Sequence, residues 1–385
     1  MDGRKENKMK TTTEDTMDAY VREGEEMAFA LGNRGAIKFN ADGALDEDIA
    51  EAYWRVGFYV FEGALGDEEL EDLQADLAHA FERAPHTKDA LVDSMGRRAL
   101  GADLARQPFR FVKPLSDPVG GTSSNNGRHP ARMSEPEPPA DAPDYVISNI
   151  AAPLQIMDSC LRLYGHPQLL SVAEQINGPD FTPFTESVIV KQPGLGASVA
   201  WHQDGTTQWD RPDWDEGTHG FNFMAQLFGS TAANGVWVIP GSHKQGKLDI
   251  KAMIEDNGGS DRLPGAVPMV CEPGDVVMSN RQALHASFAN TSSDKRMTIN
   301  FGFHRRSSVL NARVRRGDEE VIYDEARIYE RSRLIALGID ARQQRFPDES
   351  RYVYQPLIGE EDANRWNEET RESVLKNYNL RDLGL

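Results

Sequence analysis

Apolar side chains recur at every second position along much of the chain between Val188 and His304. Such alternation is typical of strands with one face turned towards a core. Two segments carry the pattern most clearly, with apolar residues at Phe221, Phe223, Ala225 and Leu227, and at Met297, Ile299, Phe301 and Phe303. Turn signals separate the segments at the intervals of a β-sandwich or barrel, namely Gly194, Gly229, Gly235, Pro240-Gly241 and Pro273-Gly274. The sequence therefore predicts a mainly β domain.

Helical patterns precede these strands. Apolar residues recur at helical spacing from Leu45 to Val56, and a short strand is expected from Phe58 to Phe61. Asp67 has the character of an N-cap, which predicts a second helix after it. Two more helices are expected between residues 154 and 176, with a break at Gly165-His166-Pro167. These helices would form a scaffold that flanks the β domain.

The stretch from Ser116 to Pro143 contains six prolines and three glycines. A composition of this kind does not favour a regular helix or strand, and long loops inside compact domains often cover a functional site. One interpretation is a lid that closes over the site. The other is a disordered insertion without a role.

The chain is expected to form one main domain with additions at both ends. Residues 1–44 are polar and predict a partly ordered N-terminal arm. Residues 45–306 would form the β domain with its helical scaffold and the loop 116–143. Residues 307–385 predict a charged helical extension packed on the core. The arginines of this extension either recognise an anionic partner or, as is more common, form a solvated face paired with nearby acids.

Composition limits the partners. A net charge of −19 opposes binding to nucleic acid or to an anionic membrane, because both reward a basic surface. No apolar run approaches the ~18 residues of a membrane span, and no secretory signal is apparent. The two cysteines, Cys160 and Cys271, indicate a reducing compartment rather than a disulfide framework. We therefore expect a cytoplasmic protein with a small-molecule substrate, and its oligomeric state stays open.

One short motif supplies candidate metal ligands. His202 and Asp204 stand two positions apart in an extended segment, so their side chains point to the same face. His285, 83 positions after His202, offers a second imidazole. Two histidines and one carboxylate form a facial triad, which binds Fe(II) and leaves coordination positions open. Because such spacings also occur by chance, the motif needs support from its surroundings.

Two polar residues near His285 provide that support. Ser287 follows His285 by two residues and Arg296 follows it by eleven. A guanidinium stays charged and donates two parallel hydrogen bonds, which suits a dicarboxylate co-substrate. Arg296 would share one strand face with Thr298 and Asn300. These residues are therefore expected to line the same cavity.

Several ordered landmarks between Glu51 and Arg306 resemble a known family. They are Gly57-Phe58-Tyr59-Val60 before an acidic helix, Trp201-His202-Gln203-Asp204, the segment from Ala233 to Lys244, Pro273-Gly274-Asp275, and the block from His285 to Arg296. With these landmarks the chain resembles the phytanoyl-CoA dioxygenase family of Fe(II)/2-oxoglutarate oxygenases. The resemblance implies a double-stranded β-helix core, which is a cupin-like jelly roll, with flanking α-helices.

The resemblance also implies roles for five residues. His202, Asp204 and His285 would be the catalytic iron ligands, and Arg296 with Ser287 would bind the distal carboxylate of 2-oxoglutarate. With O2, such an enzyme hydroxylates or desaturates a C–H bond of a small molecule and releases succinate and CO2. Halogenating relatives have a small residue in place of the carboxylate, so Asp204 favours hydroxylation or desaturation.

Other interpretations remain open. A cupin-like metal-binding protein without oxygenase activity would share the fold but would not need Arg296 and Ser287. An inactive relative that acts through protein contacts would tolerate loss of an iron ligand, whereas all three are present. Trp209 and Trp214, which follow the metal motif, either form a substrate wall or seal the rim of the barrel.

Overall fold

The computed structural model describes residues 13–183, 186–204, 220–316 and 319–380. Its strands are β1 Arg34–Gly35, β2 Phe58–Phe61, β3 Phe109–Val112, β4 Val146–Ala151, β5 Thr182–Pro183, β6 Ser187–Lys191, β7 Val199–His202, β8 Gly220–Gln226, β9 Trp237–Val238, β10 Val267–Pro268, β11 Val276–Asn280, β12 His285–Ser287, β13 Arg296–His304, β14 Arg313–Arg316 and β15 Glu319–Ile322. Its α-helices are α1 Thr13–Ala30, α2 Glu47–Val56, α3 Asp67–Glu82, α4 Asp158–Tyr164, α5 Pro167–Asn177, α6 Ile250–Asp256, α7 Arg306–Val309, α8 Glu325–Arg345 and α9 Glu368–Leu375.

Two sheets form the core of the β domain. The larger sheet has nine strands in the order β1-β2-β11-β8-β13-β6-β4-β3, with β5 attached to β13. The smaller sheet has four strands in the order β10-β9-β12-β7. The chain alternates between the sheets, because β7 and β9 belong to the small sheet while β6, β8 and β11 belong to the large one. This is the predicted double-stranded β-helix, and the fold class is confirmed.

In strands β8 and β13, apolar and polar residues alternate. The apolar side chains lie on the outer face of the large sheet and pack against helices. Phe221 and Phe223 of β8 belong to the same hydrophobic cluster as residues of α4, α5 and α8. The ring of Tyr164 on α4 lies 5.3 Å from that of Phe301 on β13, measured between centroids. The polar residues of the same strands therefore face the inside of the double-stranded β-helix. This arrangement positions the polar groups of the site.

The predicted scaffold elements are present, with small shifts at their ends. The helix predicted from Leu45 runs from Glu47 to Val56, is capped by Asp46, and ends at Gly57 in the left-handed conformation with φ 97°. Only glycine adopts this conformation readily. Asp67 is the first helical residue of α3 rather than its N-cap, which is Gly66 without a side-chain cap. Its carboxylate can still stabilise the positive end of the helix dipole.

Residues 13–30 of the N-terminal arm form the helix α1, which the sequence analysis did not predict. Tyr20 stacks on Trp237 of β9 with ring centroids 4.6 Å apart, and its hydroxyl donates to the carbonyl of Leu263 at 2.9 Å. Gly24 allows this close approach, because an added Cβ would lie 2.6 Å from the Trp237 ring. The helix thus covers the outer face of the small sheet.

The C-terminal extension is attached through the helix α8. Gly165, which follows α4, and Gly338 of α8 touch so closely that a Cβ on Gly165 would lie 2.2 Å from the Gly338 carbonyl oxygen. Arg342 of α8 is buried and donates to both carboxylate oxygens of Glu69, at 2.5 and 3.0 Å. Within the arginine-rich segment itself, Arg327 and Arg331 are buried, so the expectation of a solvated face is wrong for these two residues.

The length and hydropathy of the helices decide whether any of them could cross a membrane. Within the described residues, none of the helices is both long enough and apolar enough to cross a membrane.

Candidate metal and co-substrate site

The two histidines of the predicted triad lie opposite each other on neighbouring strands. His202 of β7 and His285 of β12 are direct partners in the antiparallel register, with ring centroids 4.1 Å apart. Directly opposed residues share a face, so both imidazoles point the same way. Asp204 follows β7, and its backbone N–H donates to the Arg281 carbonyl at 2.8 Å. One ligand atom from each side chain lies within 4.8 Å of the others.

Each imidazole is oriented by a carbonyl two residues earlier in the chain. Nδ1 of His202 lies 2.8 Å from the oxygen of Ala200, and Nδ1 of His285 lies 2.9 Å from the oxygen of Ala283. A carbonyl oxygen only accepts, so both Nδ1 atoms carry the proton and both Nε2 atoms have a free lone pair. Burial, with the neighbouring histidines, also holds the pKa of His202 well below its usual value. The hydrogen bonds thus leave Nε2 of each ring as the metal-binding atom, and the lowered pKa favours the neutral form of His202.

The carboxylate of Asp204 is held from two sides. Asn222 of β8 donates to its Oδ2 at 3.1 Å, and Arg128 donates to its Oδ1 at 2.8 Å. Burial favours the neutral acid, but the charges of Arg128 and Arg281 outweigh it and keep the pKa of Asp204 well below its ordinary range. Asp204 is therefore an anion fixed beside the two imidazoles.

This donor set fits an Fe(II) ion. Two neutral imidazole nitrogens and one carboxylate oxygen on a single face are the ligands of non-haem Fe(II) sites. The carbonyl groups behind the histidines and the amide of Asn222 are the outer partners that such ligands require. The three residues named from the sequence are thus brought together. Asn222 and Arg128 join them through contacts that the sequence pattern did not reveal.

Arg296 and Ser287, the predicted co-substrate ligands, are both buried near the site. Ser287 lies at the end of β12, two residues after His285. Arg296 begins β13, and its Nη1 donates to the carbonyl of Asn234 at 2.9 Å, while its Nε has no partner among the described residues. Burial lowers the pKa of Arg296 to about 10. Thr298 and Asn300 follow on the same face, and Thr298 donates to Gln226 at 2.8 Å.

A cavity of about 610 Å³ opens from Asp204 along the inside of the large sheet. Asn222, Asn300 and Lys191 line it, whereas Arg296 and Ser287 are not among its described lining residues. Of these three, only Asn300 was expected from the sequence to line the cavity, whereas Asn222 and Lys191 were missed. For Lys191 a signal was present. The available signal was the period of two in β6, which puts Ser187, Ile189 and Lys191 on one face.

The loop 116–143 packs against the metal site. His129 is buried, and its ring centroid lies 4.3 Å from that of His202. The Asp117 carboxylate organises the loop by accepting from the backbone N–H groups of Gly120 and Met133, both at 2.8 Å. A short 3-10 helix, Ser124–Gly127, precedes Arg128. The proline-rich stretch thus has a defined conformation, while its role as a lid stays a prediction. Trp209 and Trp214 lie outside the described residues.

A double-stranded β-helix with two histidines and one carboxylate on a single face defines the class of jelly-roll iron oxygenases. The chain belongs to the phytanoyl-CoA dioxygenase (PhyH) family, whose model matches residues 53–298. The family resemblance inferred from the sequence is therefore confirmed. The family is one of 2-oxoglutarate-dependent iron dioxygenases.

Two plant proteins are similar over part of their length. Phytanoyl-CoA dioxygenase 1 of Oryza sativa subsp. japonica is 32% identical over 118 residues, which are 29% of this chain and 40% of that protein. Phytanoyl-CoA dioxygenase of Arabidopsis thaliana is 34% identical over 116 residues, 28% of this chain and 39% of that protein. The similarity thus spans about two fifths of each relative.

Solved structures of similar shape include EctD from S. alaskensis with 2-oxoglutarate and 5-hydroxyectoine. It has a TM-score of 0.48 and 18% identity, over 72% of this chain and 81% of EctD. The non-heme alpha ketoglutarate dependent epimerase SnoN from nogalamycin biosynthesis has a TM-score of 0.45 and 16% identity, over 71% of this chain and 86% of SnoN.

Proposed function

We propose that this protein is an Fe(II)- and 2-oxoglutarate-dependent dioxygenase that hydroxylates or desaturates a C–H bond of a small molecule. The observation that carries the proposal is the pairing of His202 with His285 beside an ionised Asp204, which lines a cavity. Family membership supports the same activity.

The proposed roles follow from contacts around the site. His202, Asp204 and His285 would hold the iron. The chemistry that bound iron supplies in such a site is activation of O2, which oxidises 2-oxoglutarate to succinate and CO2 and then the substrate. Asn222 would keep Asp204 in position through its bond to Oδ2. A carboxylate at this position leaves no room for a halide ligand, which supports hydroxylation or desaturation.

The cavity supports a small-molecule substrate and a co-substrate in one compartment. Its volume of about 610 Å³ lies within the range of roughly 300–1,000 Å³ that is common for small-molecule sites. Arg296 and Ser287 remain our candidates for the distal carboxylate of 2-oxoglutarate. For the carboxylate to bind Arg296 from the cavity, the guanidinium would have to bond the carboxylate and the Asn234 carbonyl at once, or give up its bond to that carbonyl.

Turnover of 2-oxoglutarate tests this proposal. Purified protein with Fe(II) and O2 should release succinate, faster when a panel of small metabolites contains the substrate. His285→Ala should abolish the release, because one imidazole ligand is lost. His243→Ala is a matched control, because His243 is a buried histidine whose ring contacts Trp54 and Gly57 away from the triad.

Two results would redirect the assignment. Tight Fe(II) binding without consumption of 2-oxoglutarate would support a cupin-like metal-binding protein. Absence of both would support a relative that acts through protein contacts.

A further inference from the structure

Lys191, the last residue of β6, is a buried cation without an acidic partner. Its side chain is 1% exposed, and its ammonium donates to the backbone carbonyl of Phe288. Lysine is rarely buried to this extent unless an opposite charge compensates for its lost hydration. Such a group therefore needs an explanation.

A second buried cation lies directly opposite. In the antiparallel register Lys191 pairs with Arg296, so both side chains occupy the inner face of the large sheet. Arg296 is 2% exposed and also donates to a carbonyl oxygen, that of Asn234. Across the part of the chain that the structure describes, neither cation has a carboxylate within ion-pair distance. Two adjacent buried cations thus lack an anion.

The cavity connects Lys191, one of the two cations, with the candidate metal ligand Asp204. Lys191 lines the same cavity as Asp204 and Asn222, so a molecule within it can reach both ends. An anion that entered would compensate for the buried charge at the Lys191 end. A dicarboxylate can do this with one carboxylate while its other end stays near the metal site.

We propose that Lys191 is a second cation for the co-substrate, and that its ammonium binds the distal carboxylate of 2-oxoglutarate together with Arg296. This inference rests on the proposed function. Before 2-oxoglutarate binds, the ammonium of Lys191 donates to the Phe288 carbonyl, and the guanidinium of Arg296 donates to the Asn234 carbonyl. The carboxylate would then become a better acceptor for both groups, because hydrogen bonds between charged partners are stronger.

The competing explanation is that Lys191 only ties the end of β6 to the segment after β12. The two explanations predict different stabilities for the ligand-free protein and different selectivities for 2-oxo acids. A tie stabilises the protein without ligand, whereas an uncompensated buried charge does not. A carboxylate-binding lysine also discriminates between 2-oxo acids that have and lack a distal carboxylate.

The test compares Lys191→Met with Lys295→Met. Lys295 is exposed, precedes Arg296 in the chain and lies over the Phe228 ring, so its replacement removes one nearby charge outside the cavity. Each variant is loaded anaerobically with Fe(II), and binding of 2-oxoglutarate and of pyruvate, which has no distal carboxylate, is measured by calorimetry. Thermal unfolding of the metal-free variants is measured alongside.

Lys191→Met should weaken 2-oxoglutarate binding at least about tenfold, while pyruvate binding is retained and the metal-free melting temperature does not fall. Lys295→Met should match the wild type. The proposal is overturned if Lys191→Met binds 2-oxoglutarate normally, if it loses both acids equally, or if neither it nor Lys191→Gln folds. Wild-type protein that fails to bind 2-oxoglutarate would instead overturn the proposed function itself.

Discussion

Contacts made by single residues fix the position and the protonation of the candidate metal ligands. The carbonyl groups of Ala200 and Ala283 select the tautomer of the histidines, and Asn222 fixes the carboxylate of Asp204. None of these three groups would bind the metal directly. Their effect on metal affinity can therefore be measured separately from catalysis.

We predict that Asn222→Leu weakens Fe(II) binding by about 10- to 100-fold, the usual effect of losing an outer partner of a metal ligand. Gln226→Leu is the control, because Gln226 lies on the same face of β8 but bonds Thr298 rather than a metal ligand. Competition with a chelator measures both affinities. Equal affinities in the two variants would contradict the role of Asn222.

The pKa of Lys191 gives a second prediction at this scale. Burial, together with the charge of Arg296 facing it from β13, lowers the pKa of Lys191 well below its ordinary value. Between the folded and unfolded pKa values the unfolded chain binds more protons, so stability without ligand rises with pH. Relative to Lys191→Met, the wild type should gain stability as the pH rises from the lowered pKa of folded Lys191 towards the ordinary lysine pKa, by at most about 1.4 kcal/mol per pH unit.

Urea unfolding at several pH values measures this difference. A gap between the two proteins that stays constant with pH would show that Lys191 keeps its ordinary pKa in the fold.

The residues that the sequence revealed differ physically from those that it did not. His202 ends β7 and Asp204 follows it by two positions, so their shared face was expected from the period of two of an extended segment. Arg128 reaches the site from a loop, and Lys191 reaches it from another strand. Only the register of β6 with β13 shows that Lys191 lies opposite Arg296. Long-range pairing of this kind has no local signal in a single sequence.

At the scale of elements, the loop 116–143 is attached to the site through two neighbouring residues. Arg128 forms an ion pair with Asp204, and His129 packs on His202. Local composition predicted a loop correctly but carried no information about these anchors. The helix α1 shows the converse case. Its apolar residues Met17, Tyr20, Val21 and Ala28 have helical spacing, which the surrounding charges obscured.

We predict that Arg128→Ala makes the loop more sensitive to proteases, because it removes the ion pair that holds the loop on Asp204. Arg132→Ala is the control in the same loop, since Arg132 is exposed and bonds only locally to Glu135 at 2.8 Å. Limited proteolysis with mapping of the cleavage sites compares the two. Similar cleavage of both variants would show that Arg128 does not anchor the loop.

The loop is further expected to resist cleavage when 2-oxoglutarate and the substrate are bound together, since a lid closes over an occupied site. Cleavage that is indifferent to ligands would remove the lid interpretation.

In the whole molecule, the C-terminal extension and the β domain share one hydrophobic cluster. Leu334 and Leu337 of α8 belong to it, together with Phe301 and Phe303 of β13. A buried ion pair adds to this contact, because Arg342 of the extension bonds Glu69 of α3. The extension should therefore unfold together with the β domain.

We predict that Arg342→Met lowers the free energy of unfolding by about 3–5 kcal/mol, because it leaves buried Glu69 without its cation. Arg345→Met should cost clearly less, since Arg345 is more exposed and its ion pairs with Glu68 and Asp72 are screened by solvent. Urea denaturation of both variants measures the difference. Similar costs would mean that the buried pair does not attach the extension.

The central claim is that His202, Asp204 and His285 form one Fe(II) site at which 2-oxoglutarate also binds. Anaerobic titration of the Fe(II)-loaded protein with 2-oxoglutarate tests it most directly, because joint binding produces a visible charge-transfer band. We expect this band in the wild type and in His243→Ala, and its loss in His285→Ala. A wild-type protein without the band, or a band that persists in His285→Ala, would contradict it.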